Sequence, residues 1–279
     1  MEHPIVAGVD GSPPSLVAAE QAAQVAGWRS RPLHLVHGYL HALGHGVPIN
    51  PYEVGLPAPS EDAQKMLEQV AGDLTGRWPD LTVEVRQVAG GPGATLVEES
   101  QRADLVVLGS RGLGGFAGLL LGSVGTQVAT HAHCPVLVVR STDQPVPVDG
   151  PVLAGVDGSE SAELAVGYAA DEAARRATTL VLVHVARDGD DTDDPAGLLA
   201  TAGAAARGSR AGLVVEERLL RSDRPDRALV EASAQAALVV VGSRGRGGFA
   251  GLLLGSVGQT LVQHAHCPVL IARPHGHAG

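Results

Sequence analysis

The sequence predicts an α/β protein built twice over: two tandem open five-stranded parallel sheets, each in strand order 3-2-1-4-5, with helices on both faces. Three observations predict it. Apolar runs of strand length alternate with helix-length segments along the whole chain, which implies right-handed crossovers and parallel strands. The core has to be aliphatic, because 44% of the residues are hydrophobic while only 3% are aromatic; strands buried on both faces of a parallel sheet have this character. And the chain repeats itself. GSRGLGGFAGLLLGSV, from Gly109 to Val124, returns as GSRGRGGFAGLLLGSV, from Gly242 to Val257, differing only where Leu113 faces Arg246.

In the first copy, Pro4 to Val9 (PIVAGV) is the first strand. Ser12 or Ser15 caps a helix that runs to Trp28. Pro32 to Gly38 (PLHLVHG) is the second strand. Ser60 caps a helix reaching Arg77, and Leu81 to Val88 alternates like a strand with one wetter face. A short helix covers Ala94 to Arg102. Asp104 to Gly109 is a continuous apolar run ending in glycine. A helix from Ser123 to His131 follows the Gly-rich loop, and Cys134 to Arg140 (CPVLVVR) is the last strand. The second copy repeats the five strands as VLAGV, TLVLVHV, LVVEERLL, ALVVVG and CPVLIAR.

The register of the copies locates what lies between them. AGVDGS recurs from Ala7 and from Ala154, so Asp10 and Asp157 lie 147 residues apart, whereas Gly109 and Gly242 lie 133 apart. The first copy therefore carries an insertion after its second strand, and the Gly/Pro-rich stretch from His41 to Pro59 reads as a long loop. At that place the second copy has only the acidic run Arg187 to Asp194. The Pro-rich stretch after Arg140 reads as a linker. The expected division is residues 1–141, a linker over 142–150, and residues 151–279.

Charge and cysteine content narrow the function. A net charge of −10 gives no general attraction to nucleic acid or anionic lipid, so a phosphate ligand needs a local site. Cys134 and Cys267 occupy equivalent positions and read as lone thiols in a reducing, cytoplasmic setting. The amino terminus does not read as a signal peptide, and no apolar run is long enough to span a membrane. His131, His133 and Cys134, with their counterparts, offer ligand atoms, but the spacing fits no zinc pattern. They read as helix-end histidines and a buried thiol, so no metal site is expected. His37 and His184 read as hydrogen-bonded core residues rather than catalysts.

The open sheet directs attention to the carboxyl ends of strands one and four, where the strand order reverses. Asp10 and Asp157 end strand one, and Gly109 and Gly242 end strand four. Each aspartate reads either as a turn residue or as an acceptor for ribose hydroxyls or an adenine amino group. Gly112, Gly114 and Gly115 permit close backbone approaches. Gly122-Ser123 opens a helix whose unpaired N–H groups suit phosphate, with Ser123 also reading as the cap. Arg111 and Arg244 reach phosphates or lie exposed, and Arg246 is peculiar to the second copy. There is no GxxxxGK[ST] and no GxGxxG after the first strand, which argues against a Walker-type NTPase and a dinucleotide fold.

With these residues on the page, the chain resembles the universal stress proteins, in their tandem, ATP-binding form. The family motif G-x2-G-x9-G-[ST] is present as Gly109-x2-Gly112-x9-Gly122-Ser123 and as Gly242-x2-Gly245-x9-Gly255-Ser256. V-D-G-S and the terminal C-P-V-L strand fit as well. The resemblance implies a Rossmann-like fold of the adenine nucleotide alpha hydrolase kind, ATP as ligand, and a regulator or sensor in stress response or growth arrest. By position it implies that Gly8, Asp10 and Gly38 border the adenosine, while Gly109, Arg111, Gly112, Gly122, Ser123, Val124 and Gly125 line the phosphate path. In the second copy these are Gly155, Asp157 and Val185, then Gly242, Arg244, Gly245, Gly255, Ser256, Val257 and Gly258. Magnesium is the usual companion of a triphosphate, yet no residue marks itself as its ligand. A slow ATPase or phosphotransferase and a pure assembly module remain as competing classes. The last strands sit at sheet edges, which invites pairing between the halves or a homodimer. The regulatory partner is not written in the sequence.

Overall fold

The computed structural model describes residues 3–39, 59–112, 122–140, 149–187, 194–246 and 254–275. Most of the expected insertion loop, the linker core, and Gly114 and Gly115 lie outside the described residues. The first half runs β1 (Ile5–Gly8), α1 (Pro13–Arg29), β2 (Leu33–Tyr39), α2 (Glu61–Arg77), β3 (Val83–Ala89), α3 (Pro92–Glu99), β4 (Leu105–Gly109), α4 (Ser123–His131) and β5 (Val136–Val139). The second runs β6 (Val152–Gly155), α5 (Glu160–Arg175), β7 (Leu180–Ala186), α6 (Pro195–Ser209), β8 (Val215–Arg221), α7 (Pro225–Ala232), β9 (Leu238–Gly242), α8 (Ser256–His264) and β10 (Val269–Ala272).

Local chemistry explains the helix starts. Ser60 accepts a hydrogen bond from Ala63 N–H, and Ser159 and Asp194 do the same for α5 and α6, which satisfies one orphan donor at each start. Proline occupies the first turn of α1, α3, α6 and α7, where its missing N–H costs nothing. Ser12 departs from expectation. It stands at the N-cap of α1 but makes no capping bond; its hydroxyl donates to Asp10 Oδ1 at 2.6 Å.

Within each half the strand order is 3-2-1-4-5 and every pairing is parallel. The two expected sheets, however, are one. β5 and β10 pair antiparallel, with Leu137 opposite Leu270, so the strands form a single ten-stranded sheet. The physical reason lies in those strands. VLVV and VLIA are apolar at every position and wholly buried; left as open edges they would expose unpaired backbone along a hydrophobic ribbon. Of the two pairings that the sequence allows, the structure contains the one within the chain.

The core follows the same continuity. One cluster of buried residues lies beneath α1, α2, α5 and α6, and a second beneath α3, α4, α7 and α8. Alternation sorts the strands between them: Ile5 and Ala7 face the first cluster, Val6 the second. Both clusters cross the join, since Leu137 and Leu270 belong to one, and Val136, Val138, Val269 and Ile271 to the other. The outer strands β3 and β8 are half exposed, as edges are.

Polar contacts pin the join. Arg29 bridges Asp104 at 2.6 Å and Glu172 at 2.7 Å, and Arg176 reaches Glu172 at 3.4 Å while its guanidinium lies 4.7 Å from the Trp28 ring centre. The arrangement is asymmetric. Arg29 and Arg176 are equivalent residues, whereas the first copy has Val25 where the second has Glu172, and the second has Ala237 where the first has Asp104. Arg140 donates to Ala265 O of the other half at 2.7 Å, and Arg273 to Ala129 O and Thr130 O at 2.6 Å. Each arginine thus satisfies carbonyls at the end of the opposite half's helix, where a cation is favoured.

Candidate functional site

The reversal of strand order falls between β1 and β4, and between β6 and β9. The residues that leave these strand ends therefore converge. Asp157 Oδ1 accepts from Ser159 N–H at 3.0 Å and from Ser159 Oγ at 2.6 Å. Its second oxygen, Oδ2, accepts from Arg246 N–H at 3.0 Å. Asp157 thus ties the turn after β6 to the loop after β9. Asp10 makes the same pair of bonds to Ser12. Both aspartates make the turn contacts, and Asp157 adds a hold on the Gly-rich loop.

The glycines fall into three groups according to what a side chain would meet. At Gly8, Gly38, Gly109 and Gly242 a Cβ would lie 2.6–2.7 Å from packed neighbours: Leu96, Pro92, Pro14 and Ser161. Gly155 is similar though looser, at 3.2 Å from Val241. These positions are glycine because a helix or strand crosses closely. At Gly245 a Cβ would lie 2.5 Å from Asp157 Oδ2 and meet the carboxylate. Gly112 stands in the same relation to Asp10. The third group is Gly122 and Gly255. Here a Cβ would have its nearest neighbours at 3.8 Å and 3.7 Å, which is ordinary contact. Their backbones, at φ −69° in both, suit any residue. Among the described residues, nothing requires glycine there.

Gly122 and Gly255 are the N-caps of α4 and α8, and neither helix start has a side-chain cap. Ser123 and Ser256 are the first helical residues and are exposed, which corrects the expectation that Ser123 caps its helix: glycine holds the cap position. The loop closes beneath them through Gly122 N–H to Ser110 O at 2.9 Å and Gly255 N–H to Ser243 O at 2.8 Å. Val124 and Val257 are half buried, and Gly125 and Gly258 are buried one residue further on.

In the second half these elements enclose a cavity of about 650 Å³, the size of an ordinary small-molecule site. Gly155, Asp157, Val185, Gly242, Arg244, Gly245, Gly255, Ser256, Val257 and Gly258 all line it. Arg187, Arg244 and Arg246 line it too and are exposed, so the cavity is locally cationic within an acidic chain. Burial, and then the nearby charge of Arg244, depress the pKa of Arg273; burial, and then Arg111, depress that of Arg140. Each loop arginine therefore lies close enough to a second cation to disfavour its charge. Sequence reasoning did not single out the opposite wall, formed by Pro225 and Leu229 of α7 with Arg187 and Pro195. Their signal is topological: α7 starts beside the end of β7.

His37 Nδ1 donates to Val9 O at 2.8 Å and His184 Nδ1 to Val156 O at 2.7 Å. Each histidine joins its strand end to the end of strand one, and its proton sits on Nδ1 because a carbonyl can only accept. Cys134 is buried, with its thiol pushed up to about 12 by that burial, while His131 and His133 are exposed. Among the described residues, no three His, Cys, Asp or Glu side chains are grouped as metal ligands, and no helix is long and apolar enough to cross a membrane.

Comparison with known proteins agrees with this architecture. The model of the universal stress protein family matches residues 1–140 and again 150–273. A universal stress protein of Mycobacterium tuberculosis is 40% identical over 288 residues, covering 96% of each chain. One from Mycolicibacterium smegmatis is 37% identical over 290 residues, covering 98% of each. Among solved structures, a universal stress protein from Archaeoglobus fulgidus superposes with a TM-score of 0.67 at 20% identity, covering 98% of each chain; at that identity the likeness speaks for the fold.

Proposed function

The chain belongs to the universal stress protein family, and from that premise we propose that each half binds ATP at its Gly-rich loop, making the chain a nucleotide-dependent regulator in stress response. The observation that carries the reading is the third group of glycines. Among the described residues, Gly122 and Gly255 have room for a side chain and a backbone that suits one, yet they cap two helices whose starts lack a side-chain cap. A ligand approaching those N–H groups is what a side chain would obstruct, and phosphate is the group such a terminus attracts. The adenosine would lie in the remainder of the cavity, against Val185, Leu229 and Pro225.

Binding is favoured over turnover by the state of the carboxylate that lines the cavity. Asp157 is the one carboxylate among the described residues lining the cavity, and both its oxygens already accept hydrogen bonds. A general base needs a free basic atom within reach of its proton. The test is calorimetric titration with ATP and magnesium of the wild type and of Gly122→Val plus Gly255→Val. The variant should remain folded, with at most a modest loss of stability from valine at the two N-caps, and bind no ATP. Undiminished binding by the variant would refute the reading.

A further inference from the structure

A second cavity, of about 560 Å³, lies at the outer edge of the second half between β8 and α7. Four arginines line it: Arg218 and Arg221 from the strand, Arg224 and Arg227 from the helix start. All four are exposed, and Glu231 is the one carboxylate among the lining residues. The cavity is thus locally cationic in a chain of net charge −10, although Arg218 lies 4.0 Å from Glu216 and Arg224 3.1 Å from Asp226.

The duplication supplies an internal reference. Leu33 pairs with Val83 and Leu180 with Val215, so β3 and β8 correspond residue by residue: Arg218 matches Arg86, and Arg221 matches Ala89. α3 and α7 both open on proline, so Arg224 matches Gly91 and Arg227 matches Ala94. Three of the four arginines thus belong to the second half alone. Arg224 is also pre-oriented, since its Nε and Nη2 both donate to the Asp226 carboxylate, at 3.2 and 3.1 Å.

We propose that this arginine-lined cavity between β8 and α7 binds a small anion carrying several phosphoryl groups. Planar guanidinium forks match phosphate oxygens bidentately. The apolar lining is limited to Leu220, Ala228 and Ala232; with no aromatic to stack a base, charge density rather than a nucleobase is what the cavity reads. The site is built to communicate. α7 is a shared wall, with Pro225 and Leu229 facing the cavity assigned above to ATP, and Arg224, Arg227 and Ala228 facing this one. Asp226 accepts from Thr260 Oγ1 of α8 at 3.3 Å, and Ser256 at the start of α8 lines the first cavity. The first half has Gly93 and Gln127 at these positions, so the link belongs to the second half only. Binding of the anion stands independently of the ATP reading; the coupling rests on it.

Inorganic tripolyphosphate is the probe, titrated calorimetrically into the full chain at fixed ionic strength. Arg221→Ala plus Arg227→Ala, at exposed positions, should weaken its binding at least about tenfold and leave ATP affinity without tripolyphosphate unchanged. Gly122→Val plus Gly255→Val should remove only tripolyphosphate held at the Gly-rich loops and leave the part that Arg221→Ala plus Arg227→Ala weakens intact. The reverse pattern would place tripolyphosphate in the ATP cavities and overturn the assignment, as would no measurable binding to the wild type. For the coupling, saturating tripolyphosphate should change ATP affinity on the order of fivefold in the wild type and not in Thr260→Val. Unchanged affinity in the wild type would refute the coupling and leave the binding site standing.

Discussion

Gly245→Ala tests how the Gly-rich loop is held. The added Cβ would lie 2.5 Å from Asp157 Oδ2, where ordinary contact begins at 3.4 Å. The carboxylate must therefore retreat by about 0.9 Å, the difference of those distances. That movement breaks the 3.0 Å bond from Arg246 N–H to Oδ2, since a donor beyond about 3.5 Å is no longer bonded. A hydrogen bond to a charged acceptor contributes about 1.5–3 kcal/mol. If the loop must be held to receive phosphate, ATP affinity at the second site falls by roughly ten- to a hundredfold. The assay is calorimetric titration with the first site blocked by Gly122→Val. The decisive control is a double-mutant cycle. In an Asp157→Ala background the carboxylate is gone, so Gly245→Ala should cost almost nothing further. A full penalty in that background would show that the methyl acts on the ligand directly, and would refute the assignment of Asp157 as the residue that positions the loop.

Three further predictions follow from the core and the join. Glu172→Ala leaves the buried Arg176 without its carboxylate and removes one of the two carboxylates on Arg29. Breaking a buried pair costs about 3–5 kcal/mol, to be read from urea unfolding; a loss below about 1 kcal/mol would contradict the junction's role. Ala177 adopts φ 51°, just past the end of α5, where an L side chain is disfavoured. Ala177→Gly should raise stability by about 0.5–1 kcal/mol once the greater freedom of glycine in the unfolded chain is subtracted, and a lower melting temperature would oppose this. Burial raises the thiols of Cys134 and Cys267 to about 12. A folded pKa above the unfolded value means that stability is fully present below pH 9 and declines as pH rises from there toward 12. Accordingly, neither thiol should react with a disulfide reagent at pH 8 until the protein unfolds, and rapid reaction of the native chain would contradict their burial.

The parts of the fold legible in the sequence are those fixed by local pattern. Runs such as DLVVLG and CPVLVVR read as buried strands, and the near-identical recurrence of the Gly-rich segment places strand four and the following helix in both halves. The ten-stranded sheet was legible only as a choice. The all-apolar β5 and β10 demand a partner, but sequence does not say whether it belongs to the same chain. The physical reasons for the intramolecular pairing are visible only in three dimensions, where Glu172 stands at the position equivalent to Val25 and meets Arg29 across the join. The candidate site shows the same division. The glycine spacing announces a ligand loop, whereas the hold of Asp157 on Arg246 N–H spans 89 residues and has no sequence signature. Nor did sequence distinguish the glycines that packing demands, such as Gly38 against Pro92, from Gly122 and Gly255, which have room for a side chain. That distinction needs the distances.

The central claim is that both Gly-rich loops hold ATP, and the most direct test is the nucleotide content of the purified full chain. Acid release and chromatography, after saturation with ATP and magnesium and removal of the excess, should give close to two ATP per chain. Gly122→Val should leave one, held by the second half, and Gly122→Val with Gly255→Val none. No retained nucleotide and no uptake on titration of the wild type would contradict the account and leave the loops as packing elements of an assembly module.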